Sequence, residues 1–160
     1  MGRREIAIRW ATCPEDLRGA LAVRERVFCR EQGVPRSEEV DGLDDEALHL
    51  VAIGPGDGNV IATLRVLLVA GRAKIGRVAV ERDWRRLGLA SRMLEMAIKL
   101  ARESGCRDAR LAAQVEATRL YERAGFTVES EPFIEAGIDH VWMGRPLDTP
   151  KVPGEAQPAP

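Results

Sequence analysis

Several things are scarce in this chain of 160 residues, and each scarcity excludes something. There are three cysteines, Cys13, Cys29 and Cys106, odd in number and widely spaced. Without paired metal-ligand spacing they read as reduced, structural thiols, not as a disulfide framework or a zinc site. There are two histidines, His49 and His140, too few to mark a metal centre, and no metal is expected. Net charge is nearly absent: 24 basic and 25 acidic residues leave −1 at neutral pH, so nothing draws the chain as a whole toward nucleic acid or anionic lipid. Long apolar runs are missing too. The stretch Met1 to Trp10 has too short an apolar run for a signal peptide, and no segment approaches the ~20 apolar residues of a membrane span. A cytoplasmic protein with no nucleic-acid or membrane partner is expected. Repeats are absent, and only one residue is a tyrosine, Tyr121.

What is present is an apolar content of 45% and a charged content of 31%, the balance of a globular chain long enough for one full core. One domain over 1–147 is expected, then a Pro-rich polar tail over 148–160 that should be disordered. Glu5 to Trp10 alternates as a first strand. Thr12-Cys-Pro-Glu15 predicts a helix capped by Thr12 and running to about Arg30, ended by Gly33 and Pro35. Leu48 to Ile53 and Val60 to Val69 predict a hairpin across the turn cluster Gly54 to Asn59, and Ala70-Gly-Arg72 turns the chain back into Ala73 to Val80. A helix from about Gly88 to Ser104 carries a polar stripe, Arg92, Glu95, Lys99 and Arg102, opposite Leu89, Met93, Met96 and Leu100. Asp108 to Ala113, Phe126 to Glu131 and Asp139 to Met143 read as strands, Val115 to Ala124 as a short helix. Between the first helix and second strand lies an acidic run, Glu38 to Glu46. It reads as a solvated loop or, alternatively, as one wall of an amine site.

The stretch Arg77 to Leu94 organises the rest. An apolar strand (Val78, Ala79, Val80) leads through a charged turn into a helix at Arg85-Arg86-Leu87-Gly88-Leu89-Ala90-Ser91. Two cations and two small residues before orphan helix N–H groups make a phosphate or pyrophosphate site. The spacing alone also describes an ordinary strand-turn-helix with a solvated arginine pair. A P-loop or a Rossmann turn is excluded, since the lysine of one and the three glycines of the other are missing.

Arg85, Gly88 and Ala90 resemble the coenzyme A pyrophosphate loop of the GNAT superfamily of acetyl-CoA-dependent N-acyltransferases: Gln or Arg, two residues, Gly, one residue, Gly or Ala. Farther on, Leu120-Tyr121-Glu-Arg-Ala-Gly-Phe126 is similar to the second signature of that superfamily, although periodicity alone would make Tyr121 a core residue. Val27 to Pro35, Asp44 to His49 and Gly137 to His140 resemble the ElaA-type branch. The resemblance implies an α+β (α/β) fold, a mixed central sheet of about six to seven strands with an antiparallel first half and about four helices. It implies acetyl-CoA as cosubstrate, held by the backbone of Val78, Ala79 and Val80 and by Arg85 to Ser91. The asparagine common in the second signature is absent; Gln114 and Ala117 stand in that region, and the Gln114 amide offers a comparable hydrogen bond.

The implied reaction is transfer of an acetyl group to a small-molecule or peptidyl primary amine by direct attack, with Tyr121 as the acid for the departing thiolate. The base is open among His140, favoured by the branch resemblance, His49, Glu31, Glu38 and water. A catalytically silent coenzyme A-binding sensor of the same fold is the rival reading, and a homodimer is left open.

Overall fold

Runs of apolar, β-branched residues at a period of two become the frame of the molecule. In the computed structural model, which describes residues 5–148, the order is β1 (Ala7–Trp10), α1 (Pro14–Arg24), α2 (Arg36–Glu39), β2 (Leu48–Ile53), β3 (Val60–Val69), β4 (Arg72–Val80), α3 (Leu89–Glu103), β5 (Asp108–Gln114), α4 (Thr118–Arg123), β6 (Thr127–Val128), β7 (Phe133–Glu135) and β8 (Ile138–Pro146). The expected tail from 149 onward lies outside the described residues. One sheet runs β1-β2-β3-β4-β5-β8-β6, with β7 on β8. This is the mixed α+β architecture expected, with an antiparallel first half and four helices. The sheet has eight strands because β7, of three residues, is too short to show a period in sequence.

The register explains why the sheet opens. β4 pairs with β3 along its length, but with β5 only over Arg72–Lys74 against Asp108–Arg110, the single parallel contact. Past Lys74, β4 stays with β3 while β5 stays with β8 as far as Gln114 opposite His140. The two halves therefore separate. A bulge assists: Thr63 faces Ala79 and Arg65 faces Gly76, three steps along β4 against two along β3, with Arg77 in the left-handed region at φ 50°. A bulge bends its strand and increases its twist.

α3 closes one face of the sheet with Leu89, Met93, Leu94, Ala97, Ile98 and Ala101, which pack on Leu64, Val66, Ile75, Leu111 and Met143. Met96 and Leu100, expected on the buried stripe, are only half-buried, since the packed face is rotated toward Leu94 and Ile98. Each fully buried aliphatic side chain here contributes about 1.5–3 kcal/mol.

Three expectations are corrected. The α1 N-cap is Cys13, with no side-chain cap; the Thr12 N–H donates instead to Asp16 Oδ2 at 3.0 Å, because Asp16 is held there by Arg9 at 2.9 Å. From Glu25 to Glu31 the first helix winds in wider π-type turns, and Gly33 at φ 72° ends it. The expected helix over Val115 to Ala124 is a single turn at Val115–Ala117 followed by α4.

The acidic run is solvated only in part. Glu39 is 5% exposed and pairs with Arg24, itself 1% exposed. Asp44 accepts from Arg24 at 2.7 Å and from Arg65 at 3.0 Å. Asp41 accepts from Arg65 at 2.9 Å and lies 3.4 Å from Arg77. Three arginines from α1, β3 and β4 thus pair with Glu39, Asp41 and Asp44, while Glu38, Asp45 and Glu46 are exposed and have no ion pair among the described residues. The hydrogen bonds from Arg65 hold the Asp41 carboxyl well below the usual carboxylate range, and burial, with Arg65 close by, pulls Arg77 down.

Candidate active site

The separation of β4 from β5 leaves a cleft of about 1090 Å³. Its floor includes Leu67, Lys74, Gly76, Ala112 and Gln114; one wall is Phe28, Gln32, Val34 and Glu38, the other Glu135, Ile138, His140 and Trp142. Val78, Ala79 and Val80 lead along β4 to Arg85, Arg86, Gly88, Leu89, Ala90 and Ser91, all of which line the cleft. Gln114, Ala117 and Tyr121 do so as well. Leu87 does not; its side chain is 59% exposed.

At the end of β4 the donors belong to the backbone. Glu81 N–H donates to the Ile61 carbonyl at 2.9 Å, so the Ala62–Val80 pair is of the non-hydrogen-bonded kind. The N–H and C=O of Val80 therefore turn from β3 toward the gap. Arg85 Nε donates to that C=O at 2.9 Å, and its Nη2 holds both Glu31 oxygens at 2.9 Å. The guanidinium of Arg85 thereby ties the first helix to β4, while Arg86, exposed, has no ion pair among the described residues.

α3 starts without a cap. Gly88 adopts φ 77°, no side chain caps the helix, and its first turn has no acidic residue. The first N–H with a carbonyl partner is that of Arg92, to Gly88 at 3.1 Å, so those of Leu89, Ala90 and Ser91 have no hydrogen-bond partner among the described residues. A Cβ at Gly88 would meet no atom within 4 Å; the space beside it is open. Uncompensated donors at the positive end of a 15-residue helix favour an anion.

The Tyr121 ring is buried against Phe126, edge-on at 6.4 Å, and burial pushes its phenol up to about 12, so it keeps its proton at neutral pH. His140 is 2.7 Å from the Ile138 carbonyl through Nδ1. A carbonyl only accepts, so Nδ1 carries the proton and Nε2 of the neutral ring keeps a lone pair. Phe133 stacks on both His140 (5.9 Å) and Trp142 (5.5 Å). Gln114 Nε2 donates to Gln32 Oε1 at 2.8 Å, joining the end of β5 to the end of the first helix.

The other base candidates separate by position. His49 lies outside the cleft lining, donating through Nε2 to the Asp44 carbonyl at 2.9 Å, with Nδ1 buried and unpartnered. Glu31 is occupied by Arg85, whereas Glu38 lines the cleft without an ion pair among the described residues. Within those residues no group of three or more His, Cys, Asp or Glu is placed to hold a metal, and no helix is long and apolar enough to cross a membrane.

Residues 14–126 match the acetyltransferase (GNAT) family. The chain belongs to that family. It is 35% identical over 131 residues, 81% of its length and 91% of the relative's, to the uncharacterized N-acetyltransferase YjcF of Bacillus subtilis. A solved acyl-CoA N-acyltransferase from Pseudomonas aeruginosa superposes with a TM-score of 0.78 at 31% identity, covering 88% of this chain and 99% of that one. Escherichia coli ElaA superposes at 0.77 with 24% identity, covering 88% and 99%, which shows the shared fold.

Within this GNAT cleft, sequence reasoning missed Arg65, Lys74, Gln32 and Trp142. Arg65 had a visible signal: it is the one charged residue in the apolar run Val60 to Val69, and it is 6% exposed. A charge in a buried strand needs partners, here Asp41 and Asp44. The other three became visible only when β4, β5, β8 and the first helix converged.

Proposed function

We propose that the protein is an N-acetyltransferase that moves an acetyl group from acetyl-CoA to a primary amine by direct attack. One observation carries the reading: the gap between β4 and β5 gathers the free N–H of Val80, the phenol of Tyr121 and the uncapped start of α3 along one cleft. The family and the acyl-CoA named for the Pseudomonas aeruginosa relative support acetyl-CoA as cosubstrate. The residues present fit it. The N–H groups of Leu89, Ala90 and Ser91, with Arg86, suit a pyrophosphate, and the open edge of β4 suits the amides of a pantetheine arm.

In this reading the Val80 N–H polarises the thioester carbonyl as the amine nitrogen attacks its carbon. The carbon–sulfur bond breaks, the thiolate leaves with the electron pair, and Tyr121 supplies its proton; a phenol held neutral can serve as that acid. The proton lost by the ammonium goes to His140 Nε2, directly or through water. Arg85 acts through its brace on the Val80 carbonyl, positioning the strand that presents the donors.

The test is thiol release from acetyl-CoA over a panel of primary amines, paired with calorimetry of acetyl-CoA binding. Acetyl-CoA-dependent turnover of an amine is expected. Binding with no turnover of any amine would favour a coenzyme A sensor, and equal thermal protection by ATP would favour a nucleotide-binding module.

A further inference from the structure

Building on that reading, we propose that the acceptor is a small primary amine that also carries a carboxylate, and that Lys74 binds the carboxylate. Most charges around the acceptor end of the cleft are spent on one another: Arg65 and Arg77 on Asp41, Arg24 on Glu39. Lys74 is different. It is exposed, lines the cleft, and has no ion pair or hydrogen bond among the described residues; its Nζ stands 5.7 Å from the centroid of the Trp142 ring.

Its position is built by the sheet. Lys74 belongs to the last parallel pair before β4 and β5 part, opposite Arg110, so its ammonium marks the closed end of the gap. The period of two places Gly76 on its face of β4, and Ala112 and Gln114 on the matching face of β5. Two small residues therefore floor a hollow beside a cation. A Cβ on Gly76 would meet no atom within 4 Å, so that space is open. Trp142 and His140 wall it, both stacked on Phe133.

One period of β8 separates Trp142 from His140, roughly 7 Å. The Lys74 ammonium, over Trp142, is thus offset along the cleft from the imidazole that would take the amine's proton. A short ω-amino acid separates its nitrogen from its carboxylate in the same sense. Charge points the same way. Glu38 and Glu135, both in the cleft lining and unpaired among the described residues, attract the incoming ammonium, and Lys74 answers a carboxylate. A diamine would bring its second ammonium against Lys74. A plain alkylamine would leave Lys74 unused.

The experiment compares kcat/KM for 5-aminopentanoate, pentylamine and 1,5-diaminopentane in the wild type, Lys74→Met and Lys74→Glu, with the rise in melting temperature on adding acetyl-CoA recorded for each variant to show that the cofactor end is intact. The wild type should prefer the amino carboxylate over pentylamine by ~10-fold or more, as one charge-assisted hydrogen bond provides. Lys74→Met should abolish that preference, and Lys74→Glu should shift it to the diamine. A wild type indifferent to the carboxylate, or a preference unchanged in Lys74→Met, overturns the inference. So does turnover of none of the three by a protein that binds acetyl-CoA, while acetyl transfer itself is then decided on the wider amine panel. Failure to bind acetyl-CoA would overturn the underlying reading instead.

Discussion

At the α3 end of the cleft the donors are backbone N–H groups, those of Val80, Leu89, Ala90 and Ser91; at the α2 end the polar groups are side chains, Arg24, Arg65 and Arg77 against Glu39, Asp41 and Asp44. The difference is in what each end can lose. Backbone donors are shared by every residue but proline, so the α3 end depends on chain path: on the left-handed Gly88 and on the helix that follows. The α2 end depends on pairs. Each arginine is useful only while its carboxylate is present, and removing one partner leaves a buried charge behind.

The largest expected effect tests that dependence. Arg24→Met should destabilise the fold by about 3–5 kcal/mol, because Glu39 would be left buried with only Arg77, at 3.7 Å, as its cation. Urea denaturation measures it. A double variant Arg24→Met, Glu39→Gln should recover part of the loss; if it recovers none, the pair contributes packing and not charge.

Tyr121 stands between the two ends, and its variants separate binding from chemistry. Tyr121→Phe should leave acetyl-CoA affinity in place and lower the maximal rate by ~10²-fold, about 2.7 kcal/mol of transition-state stabilisation. Full activity on a verified amine would show that water or the substrate ammonium supplies the proton. Tyr121→Ala should lose binding as well, through the cavity opened against Phe126.

Gly88→Asp probes the backbone end. A Cβ has room there, so the fold should persist with the cost of a left-handed aspartate, about 1–2 kcal/mol. The added carboxylate should weaken acetyl-CoA by ~10-fold or more through repulsion at the helix start. Calorimetry giving unchanged affinity in the folded variant would move the pyrophosphate elsewhere.

The smallest effect is in acid. Hydrogen bonds from Arg9 and from the Thr12 N–H lower Asp16 to about 2. A depressed carboxylate stabilises the fold above its ordinary value near ~4 and stops doing so as pH falls through its folded value. Melting temperature should therefore drop between about pH 4 and 2, and Asp16→Asn should flatten that part of the curve. An identical slope in the variant would assign the acid loss to Asp41 and the rest of the arginine-bound carboxylates.

The hairpin of β2 and β3, the α3 boundaries and the glycine turn before α3 were legible because each is written in contiguous residues, as apolar alternation, a glycine or a helical stripe. The acidic run stayed open between a solvated loop and one wall of an amine site for the converse reason. Glu39 meets Arg24 across 15 positions of sequence and Asp41 meets Arg65 across 24, so the run looks solvated in isolation. Arg85 shows the same limit within a motif that was otherwise readable: its position beside the turn was evident, its engagement with Glu31, 54 positions away, was not.

By itself, then, the sequence determined the family, the order of most elements and the chain path at Gly88, since these depend on local backbone preference and on signatures a few residues long. Tertiary structure alone decided which charges cancel and which remain available, because ion pairs form between side chains brought together only when the sheet closes and then parts at Lys74. Along the chain Asp41 sits in an acidic run and Lys74 between Ala73 and Ile75, and neither setting reveals its partners. Folding neutralises one with two arginines and leaves the other over Trp142 without an ion pair among the described residues.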